Sequence, residues 1–576
     1  MLRCAGRPER RPHALVRELS GRYDAVVVGC GPVGATAAIL LADAGMRVAI
    51  VDESWHPFPF PRVESVDSAA LSLFRRVLGA EAEKLSCAPA SGPAVYTDKS
   101  RLDKPTVKPA LYADAESRAS IFQPQLEDLL RSALERHARV HEFFGVSARH
   151  LANEAEPALM VEDVISGKMG TLSATYLLGC DGAHGFVRVQ SGLQLRVLGS
   201  PASFLVVDAE APLDGLAGTS GELHLVADAE RPLVYAPLGL RELGARWQFG
   251  IRPGEDVPAL RAPERIRTLI APFVAQPERV RVLQHTVYAH TPFVAERWRT
   301  RNVFLCGDSA HSTAPFLGGG LSLGAGGVAN LCAKLELVWR GMADDALLDA
   351  YQAECAPLAE AHVRAAARVG EALWARAGGR GGGGWWAGAP WTRLGIDSAL
   401  LEHALQPVVP VDASTRDAAR VSNALPHARV RVAGGSAAVP LALLQVDRPK
   451  IVTTGVVNIG ELEALQALPD SVRPRVFSTH AARRLSGTSA TALEFAAEAE
   501  QRSLFGRAGY VVVLSGGRAL GRYAHGEEAA LVDEYCAVFR LKPPAASELA
   551  LARARAKLLM EYSSIDLHSR AAGAHT

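Results

Sequence analysis

The sequence predicts an α/β fold with a mainly parallel sheet, and three features of the chain favour it. Valine-rich runs such as Tyr23–Val28 and Val303–Cys306 are typical of strands that are buried on both faces. An alanine- and leucine-rich helix, Ala35–Gly45, follows the first of these strands, and another strand, Arg47–Val51, follows the helix. Between about residues 200 and 295, short β-rich runs separated by Gly, Pro and Asp indicate a second, sheet-rich module inserted into the first.

Length and composition narrow the class of protein. A chain of 576 residues with 48% hydrophobic and 21% charged residues is ordinary for a folded protein of several domains. The balance of 62 Lys and Arg against 61 Asp and Glu gives no support for a nucleic-acid or anionic-membrane partner. The cysteines include no CxxC pair, which argues against a zinc ribbon. Their scattered positions fit a cytoplasmic location. No long apolar run predicts a membrane span, and no metal site is expected.

Composition also predicts domain boundaries. Residues 1–22 are rich in arginine and are expected to form a disordered extension. Glycine is so dense in Gly378–Gly388 that regular structure would cost too much backbone entropy, which predicts a linker. Farther on, strands such as Ile451–Thr454 and Tyr510–Leu514 alternate with helices such as Glu528–Val538. The predicted units are 23–199 with 296–377, the sheet-rich insert 200–295, the connecting segment 378–424 and a C-terminal unit 425–560.

The first motif that carries chemistry is Gly29-Cys30-Gly31-Pro32-Val33-Gly34, between the first strand and the first helix. In this GxGxxG pattern Gly29 permits the tight turn, Gly31 lets the backbone approach a pyrophosphate, and Gly34 lets the helix pack on the strand. The helix N-terminus then offers free N–H groups and a positive dipole end to the phosphates. Asp52 follows the second strand, where an acid can bind ribose hydroxyls. A structural glycine turn with a surface aspartate is the alternative, but the complete context favours a Rossmann-type dinucleotide site.

Two further glycine–aspartate turns follow strands. Gly307-Asp308 comes directly after the strand Val303–Cys306, so Asp308 can reach a polyol hydroxyl. The segment 315–320, which reads Pro-Phe-Leu-Gly-Gly-Gly and is called the Pro/Gly loop below, could lie flat against an extended ring because glycine has no Cβ. Gly179-Cys180-Asp181-Gly182 follows another strand, Tyr176–Leu178. Each turn alone is a weak signal, and each also fits a purely structural role.

Taken together and in this order, the three motifs resemble those of the class A flavoprotein aromatic hydroxylases, typified by para-hydroxybenzoate hydroxylase. Pro61-Arg62-Val63 resembles the segment whose arginine contacts FAD, and Phe122-Gln123-Pro124-Gln125-Leu126-Glu127 resembles the family's helix start with a glutamine near the flavin. Asn330-Leu331 resembles the helix after the flavin loop, and the matches span about residues 23–375. The resemblance implies a Rossmann-type FAD-binding domain with an inserted β-sheet substrate domain.

The resemblance also implies the chemistry. FAD, reduced by NADPH or NADH, reacts with O₂ to give a flavin hydroperoxide that hydroxylates a phenolic or polyketide-like aromatic substrate, while the protein binds, orients and excludes water. Pro315 and Gly318 would lie near the ring, and no catalytic side chain is identified. The cofactor-binding residues implied by the resemblance are Gly29, Gly31, Gly34, Asp52, Arg62, Gln123, Asp181, Asp308, Pro315, Gly318, Gly319, Gly320 and Leu321.

A base that activates a phenol would come from the inserted module, but no pattern identifies it. His224, Tyr235 and His290 are candidates by location only, and ordinary packing explains each of them equally well. His311 fits a packed histidine after its turn. In the C-terminal unit, Leu425-Pro426-His427-Ala428 and Gly517–Arg522 resemble the thioredoxin-like α/β tail of the phenol, 3-(3-hydroxyphenyl)propionate and polyketide hydroxylases. The implied role of that tail is structural or dimerising, so a homodimer is one of the outcomes that the resemblance leaves open.

The chain departs from the family pattern in the Pro/Gly loop. Gly319 stands for a glutamine, Ser322 for an asparagine, and Gly327-Val328 for Asp-Ala. These changes remove polar groups close to the ring, and the extra glycines are expected to loosen the loop. FAD binding should survive, because the phosphate and ribose contacts lie elsewhere. Other outcomes therefore stay open: Baeyer–Villiger insertion, halogenation, a reductase, or an FAD-binding scaffold without turnover.

Overall fold

The computed structural model describes residues 18–96, 99, 102, 118–228, 230–238, 240, 243–377 and 531, together with seven short strands between residues 429 and 523. The predicted linker and connecting segment 378–424 lie outside the described residues. Of the predicted extension 1–22, residues 18–22 are described, and the first strand already begins at Gly21, two residues earlier than predicted.

Helices and strands follow one another along the chain in two groups before the C-terminal unit. The first group comprises β1 (Gly21–Val28), α1 (Pro32–Asp43), β2 (Val48–Asp52), β3 (Ser65–Asp67), α2 (Ser68–Leu78), β4 (Cys87–Tyr96), β5 (Arg118–Ile121), α3 (Gln123–Arg136), β6 (Val140–Phe144), β7 (Val146–Ala152), β8 (Ala158–Asp163), β9 (Met169–Gly179) and α4 (Phe186–Gln190). The second group comprises β10 (Leu195–Val197), β11 (Ala202–Glu210), β12 (Glu222–Val226), β13 (Leu233–Pro237), β14 (Ala245–Gly250), α5 (Val257–Leu260), α6 (Pro263–Ile270), β15 (Arg281–His290), β16 (Phe293–Ala295), β17 (Arg299–Thr300), β18 (Val303–Leu305), β19 (His311–Ser312), α7 (Gly320–Trp339) and α8 (Ala350–Ala377).

The first sheet has the order β17-β18-β9-β1-β2-β6, and the hairpin β7–β8 pairs onto β9. Strands β18, β9, β1, β2 and β6 are parallel, which confirms the predicted α/β class. Val26 and Val27 are fully buried, as a strand covered on both faces requires. Helix α1 starts with Pro32, whose ring fixes a helical φ at a position that needs no N–H donor, and Gly45 at φ +102° follows its end.

The second sheet is wider than the sequence pattern indicates. Its order is β15-β11-β14-β13-β12-β4-β5-β3, so the predicted insert 200–295 supplies five of its eight strands, and residues 65–121 supply the other three. The sequence pattern assigns residues 65–121 to the cofactor domain by their position in the chain. In the structure β4 pairs in parallel with β12, so this segment joins the sheet of the insert, and the domain bounds stay a prediction. The small sheet β10-β16-β19 lies where the chain crosses between the two modules.

The second sheet buries both faces. On one face Tyr235 and Trp247 stack and pack with Ile266 of α6. On the other face Phe204 packs edge-on against Phe316 of the Pro/Gly loop, within a cluster that also includes residues of α8. This second face therefore joins the sheet to the first module.

A buried polar network fixes that junction. Arg246 on β14 donates to both carboxylate oxygens of Asp208 on β11, at 2.7 and 2.9 Å, and also donates to the carbonyl of Pro61. Gln248 on β14 donates to Glu64 at 2.5 Å. Burial raises the pKa of Glu64, and the charge of Arg246 opposes that rise. The segment that begins at Pro61 is thereby held against the second sheet.

The C-terminal sheet has the order β21-β20-β24-β23-β22-β25-β26, formed by β20 (Arg429–Val432), β21 (Val439–Pro440), β22 (Lys450–Thr453), β23 (Arg475–Ser478), β24 (Thr491–Phe495), β25 (Tyr510–Val513) and β26 (Ala519–Tyr523). Strands β22 and β23 are parallel, and β25 and β26 are antiparallel to their neighbours. This mixed order is compatible with the predicted thioredoxin-like unit, which stays a prediction. The predicted helix Glu528–Val538 lies outside the described residues except for residue 531.

Among the described helices, α7 alone is long and apolar enough to cross a membrane by length and composition. Within that helix, 72% of the apolar window is buried inside the protein, as in the core helix of a globular fold. In the same part of the chain, no group of three or more His, Cys, Asp or Glu residues could hold a metal ion.

The polar network generates a stability prediction. Asp208→Ala should destabilise the protein by about 3–5 kcal/mol, because it leaves the buried charge of Arg246 without its main partner. The matched control is Glu210→Ala on the same strand, whose partner Arg281 is exposed, and this change should cost less than about 1 kcal/mol. Urea unfolding followed by circular dichroism measures both, and equal losses would contradict the prediction.

Candidate functional site

Three chain turns meet at the carboxyl edge of the first sheet. Val28 pairs with Gly179, and Gly179 pairs with Leu305, so the strands β1, β9 and β18 end side by side. The GxGxxG turn, the Gly179–Gly182 turn and the Gly307-Asp308 turn follow these ends. The structure thus brings together the three motifs that are separate in the sequence.

The three glycines of the first motif have three different surroundings. Gly29 has φ +97°, and a Cβ there would lie 2.4 Å from the Cys180 carbonyl oxygen. At Gly34 a Cβ would lie 2.0 Å from the Gly29 carbonyl oxygen. At Gly31 a Cβ would meet no atom within 4 Å. Gly29 and Gly34 are therefore required by packing, whereas Gly31 borders open space at the N-terminus of α1, where a phosphate could approach.

Asp52 shapes this cradle. Its carboxylate accepts from the backbone N–H of Cys30 at 2.7 Å and of Ser54 at 2.8 Å. Arg131, which sequence reasoning missed, lies behind it with Nη2 at 3.9 Å from Asp52 and its guanidinium over the Phe144 ring. The carboxylate keeps further lone pairs that ribose hydroxyls could use. Binding of a ribose by Asp52 stays a prediction.

Gln123 holds the segment that carries Arg62. Its amide oxygen accepts from the backbone N–H groups of Arg62 and Val63, at 2.8 and 2.9 Å, and its amide nitrogen donates to Glu127 at 2.7 Å. Gln123, Glu127 and Arg131 are spaced by four residues on α3 and are all buried. That polar stripe on one helix face is the signal that could have found Arg131. Direct contact of Gln123 with a cofactor stays a prediction, because its described bonds position the neighbouring segment.

The surroundings of Asp308 indicate a concave surface, which is called the cleft below. Its side chain is exposed to solvent, yet the surrounding protein raises its pKa to about 6 against the opposing charge of Arg62. Tyr288 on β15 shares this environment: it is 41% exposed, and burial and the charge of Asp308 raise its pKa. The two residues come from different modules, so the cleft runs between the carboxyl edge of the first sheet and the second sheet.

The Pro/Gly loop forms one wall of this region. Its residues Pro315–Leu317 make a single tight helical turn, and Gly318 then takes a left-handed conformation at φ +61°. The carbonyl of Gly318 accepts a hydrogen bond from Arg118. Gly320 begins α7, and a Cβ on it would lie 4.0 Å from Asp308. The next residue, Leu321, is buried.

The departures from the family pattern have packing reasons. A Cβ at Gly319 would lie 2.3 Å from Cε1 of His362, a buried histidine on α8, so the ring fills the space next to the loop. Ser322 accepts from the backbone N–H of Asp67 at 3.0 Å, and Asp67 in turn caps α2. His362 thus packs against the loop and Ser322 bonds the start of α7 to the start of α2, while a looser loop stays a prediction.

Asp181 and His311 support the turns around the site. Asp181 accepts from the backbone N–H of Val187 at 2.8 Å, at the start of α4, and burial raises its pKa. His311 is buried beside Trp298, and burial with the nearby His362 lowers its pKa to about 4. This environment fits the structural role expected of His311, while cofactor contact by Asp181 stays a prediction.

The candidate bases separate by sheet face. His224 is fully buried and lies between the rings of Tyr96 and Tyr235, in the cluster on the far face of the second sheet. The Tyr235 hydroxyl donates to the Ala217 carbonyl at 2.9 Å. His290 stacks on Tyr288 on the cleft side, and burial lowers its pKa to about 4. Packing therefore accounts for His224 and Tyr235.

Known proteins resemble this chain in sequence. The family model described as FAD binding domain matches residues 22–366. The 3-(3-hydroxy-phenyl)propionate/3-hydroxycinnamic acid hydroxylase 1 of Burkholderia vietnamiensis (strain G4 / LMG 22486) is 30% identical over 379 residues, which cover 64% of this chain and 58% of that protein. The corresponding hydroxylase of Mycolicibacterium smegmatis (strain ATCC 700084 / mc(2)155) is 31% identical over 355 residues, 61% of this chain and 62% of that protein. The match thus spans about three fifths of these relatives.

Solved structures share the fold. The flavin-dependent monooxygenase PieE in complex with FAD and substrate aligns with a TM-score of 0.67 at 19% identity, covering 90% of this chain and 99% of that one. Aklavinone-11 hydroxylase with FAD and aklavinone aligns with a TM-score of 0.67 at 21% identity, covering 90% and 98%. At these identities the likeness to the solved structures shows a shared fold and nothing further.

The glycine geometry generates a prediction about binding and folding. Gly34→Ala should destabilise the fold by about 1–3 kcal/mol, because its Cβ meets backbone that has no room to move. Gly31→Ala should change stability by less than about 0.5 kcal/mol but weaken FAD binding by about tenfold or more, because its methyl group enters the open cradle. Urea unfolding and FAD titration by fluorescence separate the effects. Unchanged FAD affinity in a folded Gly31→Ala protein would contradict the cradle.

The environment of Asp308 generates a pH prediction. Its pKa of about 6 in the folded protein lies above the ordinary value of 3.8. The free energy of unfolding therefore falls as the pH rises from 3.8 to about 6, and the full loss is present above that range. FAD-free Asp308→Asn protein should therefore melt higher than the parent protein at pH 8 and at the same temperature near pH 4. The exposed Asp214→Asn is the control and should change neither midpoint. A gain at Asp308 that is equal at both pH values would refute the assignment.

The Gly319–His362 contact generates a coupling prediction. Gly319→Ala should destabilise the protein by about 1–3 kcal/mol through the overlap with the imidazole, and His362→Ala in the same chain should recover most of that loss. Gly327→Ala on α7 is the control, because its nearest neighbour, the Tyr351 hydroxyl, lies at 3.7 Å and alanine favours a helix. Thermal unfolding of the parent, Gly319→Ala, His362→Ala, the double variant and Gly327→Ala tests this, and additive losses in the double variant would disprove the contact.

Proposed function

This chain belongs to the FAD-binding-domain family, and from that premise we propose that it is an FAD-dependent monooxygenase. It uses NADPH or NADH and O₂ to hydroxylate an aromatic substrate of the phenolic or polyketide-like class. The observation that carries the proposal is the meeting of the three turns at the carboxyl edge of the first sheet, where Gly31 borders open space and the exposed Asp308 lies near Tyr288 of the second sheet. An aromatic ring in the cleft would lie between the cofactor and the second sheet.

The residues around the carboxyl edge fit FAD. The open space at Gly31 and the N-terminus of α1, which has no acidic residue in its first turn, suit a diphosphate. Asp52 is proposed to bind the adenosine ribose, and Asp308, near the end of the Pro/Gly loop, to bind the ribityl chain. The residues Pro315 and Gly318–Gly320 are proposed to flank the ring, with Arg62 and Gln123 on the other side of the cleft.

When bound, FAD supplies the electron-transfer and O₂ chemistry that amino-acid side chains do not supply. The chain itself binds and orients the reactants and keeps water out. The cluster of Phe204, Leu223 and Phe316 gives the junction between the modules an apolar wall. An apolar wall excludes water, which would otherwise cause side reactions before the substrate is oxidised. The buried network of Arg246 and Asp208 holds the Pro61 segment in place, so that the wall and the cofactor edge keep a fixed separation.

An FAD-binding scaffold without turnover is the second candidate. The scaffold is favoured by the replacement of a glutamine and an asparagine, expected beside the ring, by Gly319 and Ser322. Packing against His362 also leaves no room for a side chain at position 319. We place the protein in the cytoplasm, with no nucleic-acid partner, and propose that the C-terminal unit has a structural or dimerising role.

The test uses the full-length protein purified with its flavin. NADPH and NADH oxidation is followed with and without a panel of phenols and polyphenolic ketones, and products are weighed by mass spectrometry. Substrate-stimulated oxidation with a product one oxygen atom heavier supports the proposal. A yellow protein that neither reductant reduces favours the scaffold, and a chloride-dependent product favours halogenation. An Asp308→Ala protein with intact folding should lose FAD and serves as the control.

A further inference from the structure

Arg118 is a buried cation beside the Pro/Gly loop. It begins β5, is only 9% exposed, and lies against the Pro/Gly loop. Its Nη2 donates to the Ser65 hydroxyl at 2.9 Å and to the carbonyl of Gly318, and its Nε donates to the same hydroxyl at 3.3 Å. All of these partners are neutral.

The described residues give Arg118 no carboxylate. The buried Arg246 pairs with Asp208, and the buried Arg231 pairs with Glu255, so charge pairing is available elsewhere in this fold. The acid opposite Arg118 in the β3–β5 ladder is Asp67, but Asp67 accepts from the backbone N–H of Ala70 to cap α2 and forms no ion pair with the arginine. The Nη1 group has no hydrogen-bond partner among the described residues.

A buried guanidinium with only neutral partners is short of compensating charge. The position of Arg118 in the fold indicates where a negatively charged ligand would bind. Gly318 belongs to the loop proposed to flank the ring, and Ser65 lies three residues after Arg62 on the segment that Gln123 holds. Arg118 therefore bridges the two chain segments between which the ring of FAD is proposed to lie.

We propose that Arg118 is the counter-ion for a ligand oxygen anion at the ring end of the cleft. The inference rests on the proposed function for the place of the ring. Two sources carry the same chemistry: the pyrimidine edge of FAD, which becomes negative on reduction, and a carboxylate or phenolate of the aromatic substrate. In either case Arg118 acts as a positioning residue that also holds the carbonyl of Gly318.

The experiment compares full-length, FAD-loaded Arg118→Met, Arg118→Lys and parent proteins, with Arg281→Met as an exposed control on β15. The first measurement is the two-electron midpoint potential of bound FAD without substrate. If the flavin is the source, Arg118→Met should favour oxidised over reduced FAD about tenfold more, a shift of about 30 mV to more negative potential. Arg118→Lys, which keeps the charge, should shift less than half as far.

The second measurement is binding of benzoate and of benzyl alcohol, read from the FAD absorption band. If the substrate is the source, Arg118→Met should weaken benzoate about tenfold, leave benzyl alcohol unchanged, and leave the potential unchanged. The proposal is overturned if Arg118→Met alters neither the potential nor benzoate binding, or if Met and Lys act equally, since the charge would then be irrelevant. Arg118→Gln replaces Arg118→Met if the latter does not fold. Neither measurement requires hydroxylation, so failure of the proposed reaction would be seen separately.

Discussion

The arrangement of this site depends on one close backbone contact, the approach of the first glycine turn to the turn after β9. At Gly29 a side chain would meet the carbonyl of Cys180, and at Gly34 it would meet the carbonyl of Gly29 itself. Because both positions are glycine, the two turns can approach this closely and α1 can begin directly at the sheet edge. The first N–H groups of α1, which have no acceptor within the helix, then lie next to the open space at Gly31. The turns of the second and third motifs follow strands that end beside them.

The second constraint is the junction between the modules. Residues 61–64 precede β3 and are held from both sides: Gln123 binds the backbone of Arg62 and Val63, while Arg246 binds the carbonyl of Pro61. Buried polar groups of this kind favour a single arrangement, because any shift leaves a charge or a carbonyl unsatisfied. The position of this segment relative to the second sheet is therefore fixed by hydrogen bonds that are distant from Asp308 in sequence.

The Pro/Gly loop shows how a departure from a family pattern can be compensated locally. Glycine at 319 is matched by the ring of His362 on α8, and serine at 322 bonds the backbone at the start of α2. The loop and the start of α7 thus gain contacts from α8 and from the start of α2 in place of polar groups of their own. Its carbonyl at Gly318 is held by Arg118, which connects the loop to the edge of the second sheet.

The sequence by itself determined the cofactor module, because each of its signals is local. The glycine spacing, the buried valine strands and Asp52 lie within some thirty residues of one another, and short-range sterics decide their conformation. It also indicated the turns at Asp181 and Asp308. Only the tertiary structure decided that β3, β4 and β5 join the second sheet, that Arg131 supports Asp52, and that His362 occupies the space beside Gly319. These are contacts between residues far apart in the chain, and periodicity and motif spacing carry no information about which distant strand edge or side chain will arrive there.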